Sequence, residues 1–318
     1  MRALATLMAA GALLLGCDEP QLPKSWRVTY ARVLAVRAEV AGDATRATPE
    51  PGERARVSVL IVGDRPIDHL SYDLVACPAT PALGELPSCA GEAISAEAGQ
   101  LMASSELARE LHLDIDVPDA GELDGAERIL IAGTICTDGT AEAVEGGEGR
   151  CVDGAAEPVT FTAHVVLALD AAGRNGNPVL ADDAIRFDDE VWIRAAALEP
   201  PTDEDGGGAP ELPDAGAPAT VAADGVEHEI AISLEHAARE TSEAGPEELL
   251  LSHYVTAGVL ERRFSVLERD QDGKSPMLVK WHMPRVDDPP SHMLAVFVLR
   301  DQRGGVDYAL REIEIADP

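Results

Sequence analysis

Aromatic side chains are scarce in this chain: four Phe, four Tyr and three Trp occur among 318 residues. Any core must therefore be aliphatic, and 46% hydrophobic residues leave enough Val, Leu, Ile and Ala for about two domains. Positive charge is scarce as well. Lys and Arg number 25 against 57 Asp and Glu, a formal net charge of −32, and no run of four basic residues occurs. Phosphate binding needs clustered cations, so nucleic acid is not an expected partner. Catalytic signatures are missing too. There is no Gly-x-Ser-x-Gly elbow, no Gly-x4-Gly-Lys-Ser/Thr loop, no dinucleotide glycine fingerprint and no His-Glu-x-x-His pair. His228 and Glu229 open such a pair, but position 232 is Ile232. The eight histidines are read as surface or strand-edge residues, and neither a cofactor nor a metal ion is expected.

An apolar run long enough to cross a bilayer is also lacking at the amino end. Arg2 precedes Ala3 to Leu15, thirteen apolar or small residues where a spanning helix needs about 20, and then come Leu14-Leu15-Gly16-Cys17 and the charged Asp18. This run resembles the export signal and processing site of bacterial lipoproteins. The resemblance implies cleavage before Cys17, a diacylglyceryl group on its thiol and acylation of the new amino terminus. Each buried methylene contributes about 0.8 kcal/mol, so one chain holds marginally and several hold stably. Residues 1–16 are then the signal, residues 17–24 an acylated tether, and the mature chain is more acidic by the loss of Arg2. Asp18 resembles an inner-membrane retention signal of enteric bacteria, and the choice of membrane stays open. A body this acidic repels anionic headgroups, which leaves its attachment to the lipid on Cys17.

Export makes the four remaining cysteines, Cys77, Cys89, Cys136 and Cys151, disulfide candidates. Three pairings are possible. The local one, Cys77 with Cys89 and Cys136 with Cys151, closes loops rich in Pro and Gly, where a staple of about 15 residues contributes roughly 3 kcal/mol. A four-cysteine zinc site is the competing arrangement, and the spacings lack its Cys-x2-4-Cys knuckles.

Most of the remainder reads as short strands between turns. WRVTYARVLAVRAEV is β-branched and aliphatic, GDATRATPEPGE is a turn, and RARVSVLIVG alternates as a half-buried strand. SYDLVACPA, LHLDIDVP and ERILIAGTIC follow, and AISAEAGQLMASSELARE has the Ala, Leu and Glu content of a short helix. PVTFTAHVVLALD opens a second β-rich region. Residues 199–225, dominated by Pro, Gly, Ala, Asp and Glu, read as a disordered acidic insert. Strand patterns resume from VEHEIAISL to VDYALREIEI, the last two strands being joined by DQRGG. The spacing predicts an all-β chain of two antiparallel β-sandwich domains, at 25–156 and 157–318.

The segment RVLAVRAEVAGDATRATPEPGERARVSVLIV, the Cys-Pro after a strand, GNP, YVTAG, the Trp-x-x-Pro of WHMP and the closing VFVLRDQRGGVDY together resemble a set of predicted surface lipoproteins from myxobacteria and related lineages. Their function is uncharacterised. The resemblance covers most of the mature chain except the acidic insert, and it implies immunoglobulin-like β-sandwich domains and an envelope location.

Three weaker patterns remain. Glu268, Asp270 and Asp272 before Gly273 are similar to the start of a calcium loop, but Val279 stands where a bidentate Glu would close it. Asp182 with Asp183, and Asp188 with Asp189, are carboxylate pairs of a kind too common in so acidic a chain to mark a site. Arg300, Asp301 and Arg303 beside Gly304 and Gly305 form either a recognition tip or a solvated hairpin. The expected function is a noncatalytic binding or structural module at the bacterial cell envelope, periplasmic or surface-facing, whose partner is an unidentified protein or glycan. The competing class is an envelope hydrolase with a carboxylate site assembled from distant residues.

Overall fold

Continuous apolar runs such as VSVLIV in residues 57–62 and MLAVFVL in residues 293–299 set the architecture, because a strand with no polar side must be covered on both faces. The computed structural model describes residues 24–80, 88–142, 149–193, 218–235, 237, 239–242 and 245–316. The expected signal, Cys17 and nearly all of its tether lie outside them.

Nine strands build the first unit: β1 (Arg32–Val40), β2 (Arg54–Val62), β3 (Leu70–Pro78), β4 (Ser95–Leu101), β5 (Ala108–Asp116), β6 (Arg128–Cys136), β7 (Thr140–Glu142), β8 (Arg150–Val152) and β9 (Val159–Val166). They form a three-stranded sheet in the order β1-β2-β5, a four-stranded sheet in the order β4-β3-β6-β9, and the small hairpin β7-β8. Val57, Val59, Ile61, Leu111 and Leu113 of the first sheet pack on Leu70, Leu74, Ile129 and Ile131 of the second. The result is a sandwich with an aliphatic core.

The second unit contains β10 (Ile185–Phe187), β11 (Glu190–Val191), β12 (Ala219–Ala222), β13 (Glu227–Ile232), β14 (Thr241–Ser242), β15 (Gly245–Pro246), β16 (Leu249–Val255), β17 (Val259–Leu260), β18 (Phe264–Leu267), β19 (Met277–His282), β20 (His292–Arg300) and β21 (Val306–Ala316). Its two five-stranded sheets run β11-β10-β13-β19-β17 and β12-β21-β20-β16-β18. All three tryptophans of the chain, Trp26, Trp192 and Trp281, lie in the core between them, beside Phe187 and Phe297.

A third core joins the sandwiches. Leu60, Val62 and Leu34 on the outer face of the first unit's small sheet pack against Leu294, Val296, Val298 and Leu310 on the outer face of the second unit's β20-β21 sheet. Four sheets therefore stack with three cores between them. The second half of β2 and nearly all of β20 are buried on both faces, which explains their unbroken apolar runs.

Four expectations change. RARVSVLIV is not half-buried, because its second face carries this third core. AISAEAGQLMASSELARE forms no helix: β4 and the start of β5 occupy it, and cross-strand pairing with β3 and β2 outweighs its weak helix propensity. The boundary at 156/157 falls too early, since β9 pairs with β6 along its whole length. At the other end, Trp26 and Val28 belong to the second sandwich and the junction: Val28 N–H donates to Val255 O at 2.9 Å and Val255 N–H to Trp26 O at 3.1 Å. Finally, the acidic insert is ordered from residue 218. Ala219–Ala222 pairs in parallel with Ile313–Ala316, burying Val221 and Ala223, so one pair in this sheet departs from the expected antiparallel pattern. Residues 199–217 lie outside the described residues.

Candidate functional site

Both local disulfides form, Cys77–Cys89 and Cys136–Cys151. The register gives the reason. Cys136 lies opposite Ser71, six residues or roughly 20 Å along β3 from Cys77, so a bridge between the two strands is out of reach. Cys77 packs with Ala79 and Leu130 on the face turned away from the core, and Ser71 Oγ accepts from Ala141 N–H at 3.0 Å. Each bridge ties a strand of the four-stranded sheet, β3 through Cys77 or β6 through Cys136, to a cysteine outside that sheet.

The residues carrying the family resemblance meet in pairs. Gly258 of YVTAG has φ +80°, and a Cβ there would stand 2.2 Å from Nε1 of Trp281, the tryptophan of WHMP. Trp281 Nε1 donates to Ala257 O at 3.1 Å. The GNP and DQRGG segments meet at the junction. Asn177 Oδ1 accepts from Val306 N–H at 3.0 Å while its Nδ2 donates to Ala38 O at 2.8 Å. Asn175 Nδ2 donates to Asp301 Oδ2 at 2.6 Å, and Asp301 Oδ1 accepts from the N–H groups of Arg303 and Gly305 at 2.8 and 2.9 Å. Arg303 Nη1 donates to Glu240 at 2.9 Å and to Glu247 at 2.6 Å.

This arrangement settles the two readings of the DQRGG turn against both. Asp301 is only 3% exposed and neither solvates a loop nor offers itself to a ligand. Burial pushes its carboxyl above the usual range, opposed by the Asn175 and backbone hydrogen bonds; burial likewise raises Glu247, opposed by Arg303. The hairpin clasps the two sandwiches. Within the turn Gln302 and Gly304 take positive φ.

Candidate catalytic groupings fail on geometry. Ser58 Oγ lies 3.1 Å from His112 Nδ1, and Glu110 approaches that same nitrogen at 3.9 Å. An activating triad needs nucleophile and acid on opposite ring nitrogens, so this trio cannot relay a proton through His112. Asp188 holds His228 Nδ1 at 2.6 Å, and the imidazole stacks on Phe187 at 5.1 Å; the pair pins the Asp188 turn to β13, whose Glu229 N–H donates to Asp188 as well. His253 departs from the surface-histidine expectation altogether. Fully buried beside Phe297, it is pulled down to a pKa of about 4 by burial, which the Arg262 carbonyl only partly opposes. His236 lies outside the described residues. The Glu268–Asp272 turn is closed by its own bonds, Gln271 N–H to Glu268 O at 3.1 Å and Lys274 N–H to Asp272 Oδ1 at 3.0 Å. Among the described residues no three His, Cys, Asp or Glu side chains stand where they could share a metal ion.

What remains is a concavity that the sequence did not single out. An open groove of about 1330 Å³ runs along one side of the first sandwich, between the edge strands β1 and β9, and a recess of about 310 Å³ carries it on toward the junction. Val33, Ile67 and Phe161 line its floor. Asp64, Asp68, Asp138 and Glu157 stand at its rim with Arg32 and Arg65. The four carboxylates are exposed.

No family model matches the chain, and no curated protein matches it. Among solved structures, red sea bream transglutaminase is similar over 92% of this chain at 8% identity with a TM-score of 0.29; the chain spans about a third (32%) of that protein's length. The N-terminal Ig1-2 module of the Drosophila receptor protein tyrosine phosphatase DLAR is similar over 91% of this chain and 99% of its own length, at 9% identity and a TM-score of 0.24. CBD12 from CALX1.2 is similar over 83% of this chain and 81% of its own, at 10% identity and a TM-score of 0.19.

Proposed function

We propose that this chain is a lipid-anchored, noncatalytic protein of the bacterial cell envelope, built of two immunoglobulin-like sandwiches and working as a binding module. It is read as one of the myxobacterial type of surface lipoprotein that its motifs resemble. The observation that carries the proposal is the open groove between two sheet edges, rimmed by exposed carboxylates: it offers backbone groups and side chains for contact but no aligned nucleophile and base. The Greek-key distribution of β1-β2-β5 against β4-β3-β6-β9 supports the immunoglobulin-like class. Two disulfides fit an oxidising compartment. Among the described residues no helix is long and apolar enough to cross a membrane.

The tether adds a geometric consequence. Six residues lie between Cys17 and Lys24, a reach of at most about 25 Å over seven Cα steps, and Trp26 then seats in the core of the second sandwich. The body is thus held close to the membrane and by its junction. Cell fractionation tests the proposal: wild type partitions into the detergent-requiring membrane fraction, and Cys17→Ala is released from it. A Cys17→Ala variant that stays membrane-bound overturns the anchor. Turnover on a hydrolase panel, abolished by a single carboxylate substitution, overturns the binding module.

A further inference from the structure

An edge strand exposes a row of unpaired N–H and C=O groups, and natural proteins guard such edges with charges, bulges or prolines. Three edges of the first sandwich are guarded. Along β5 stand Arg109, Glu110, Asp114 and Asp116; along β1 stand Arg32, Arg37 and Glu39, with a bulge between Val33 and Ala35; β4 carries Glu97, and its Ser95 Oγ donates to Asp114 O at 2.9 Å. The fourth edge carries no such guard, although its last residue, Val166, lies against Gly304 of the β20-β21 turn. β9 reads VTFTAHVV, with no Lys, Arg, Asp or Glu in a chain that is 26% charged, and it pairs with β6 from Val159 to Val166 without a break in register. Among the described residues no backbone hydrogen bond reaches its outer side, and none joins it to β1 across the groove.

The geometry points to β9 as a docking edge for an extended, cationic polypeptide segment, which adds to the four-stranded sheet as a fifth strand and lies in the groove. The unbroken edge supplies main-chain groups for a ladder of hydrogen bonds. Phe161 and Val159, packed toward the core on alternate positions, leave an apolar floor that accepts small apolar side chains at every second residue of the guest. Four rim carboxylates against two guanidinium groups set the sign of the guest's charge. A second copy of this chain is the other occupant such an edge could take. At −32 per copy, self-repulsion opposes it.

This inference deepens the binding-module proposal by naming the class of partner. The test uses the exported chain carrying Cys17→Ala, selected against a displayed library of random decapeptides. The expected result is enrichment of peptides bearing a net positive charge, which slow hydrogen exchange of the amides in residues 159–166 at least tenfold when saturating. Methylating alternate backbone nitrogens of an enriched peptide should weaken its binding at least tenfold, since that blocks the ladder and keeps the side chains. Thr160→Lys combined with Thr162→Lys, both at exposed positions, should do the same while leaving the unfolding midpoint in place. Failure to enrich any peptide overturns the inference; so does protection elsewhere, indifference to N-methylation, or a concentration-dependent dimer that protects residues 159–166. Enzymatic turnover would defeat the proposed function without altering any of these readouts.

Discussion

Removing side-chain volume from the junction core measures whether the two sandwiches are one body. Leu60 is fully buried there, on the face of β2 opposite its own sandwich core, against Leu294, Val296 and Val298 of β20. Leu60→Ala removes three carbon atoms and leaves a cavity, and such substitutions in close-packed interiors cost about 2–5 kcal/mol. On a solvated sheet face the same change would cost no more than about 0.5 kcal/mol. The tryptophans make the assay selective, because all three lie in the second sandwich while Leu60 belongs to the first. Urea unfolding followed by tryptophan fluorescence therefore reports the unit that does not contain the substitution. With a slope of about 3 kcal/mol per molar urea, a loss of about 3 kcal/mol moves the midpoint by about 1 M. A fluorescence midpoint unmoved by Leu60→Ala, with circular dichroism alone shifting, would refute a continuous core across the junction.

His253 predicts a pH dependence. Its native pKa of about 4 lies below the unfolded value of about 6.5, so the unfolded chain binds the extra proton between them. Its contribution, about 3 kcal/mol, is complete above pH 6.5 and is lost as pH falls through 4; denaturation of His253→Leu should show a correspondingly flatter profile than wild type, and equal slopes would contradict the assignment. Replacing Cys136 and Cys151 by Ser should cost roughly 3 kcal/mol, while peptide mapping without reductant should recover Cys77 joined to Cys89 and Cys136 joined to Cys151. Gly258→Ala should lower the melting temperature sharply, because its φ of +80° strains any side chain and the new methyl meets Trp281 and the His282 carbonyl; a gain in stability would rule that contact out.

Strand periodicity and turn chemistry made most of the all-β architecture legible, and loop composition made the disulfide pairing legible. The junction was not. RARVSVLIV carries both an alternating and a continuous reading, and only the presence of a second sandwich decides between them, since the apolar residues on its second face belong to a contact with a sheet more than 200 residues away in sequence. Propensity misread AISAEAGQLMASSELARE for a related reason: its neighbours β3 and β2 supply hydrogen bonds that no local rule sees. Asp301 and Arg303 looked like a surface tip because their partners, Asn175, Glu240 and Glu247, are distant in sequence. The groove had a trace in the sequence after all. An uncharged VTFTAHVV in so acidic a chain is a local anomaly, but its meaning depends on β9 being an edge, which topology alone establishes.

The central claim is that an anchored, noncatalytic body meets its partner through the open edge of β9. The most direct measurement is photocrosslinking in living cells, with a photoreactive amino acid placed at Thr162 on the exposed side of β9 or at Lys274 in a distant exposed turn of the second sandwich. The account predicts a discrete crosslinked adduct from position 162, absent from position 274 and lost when Thr160→Lys is added. No adduct at 162, or the same adduct from both positions, would contradict it.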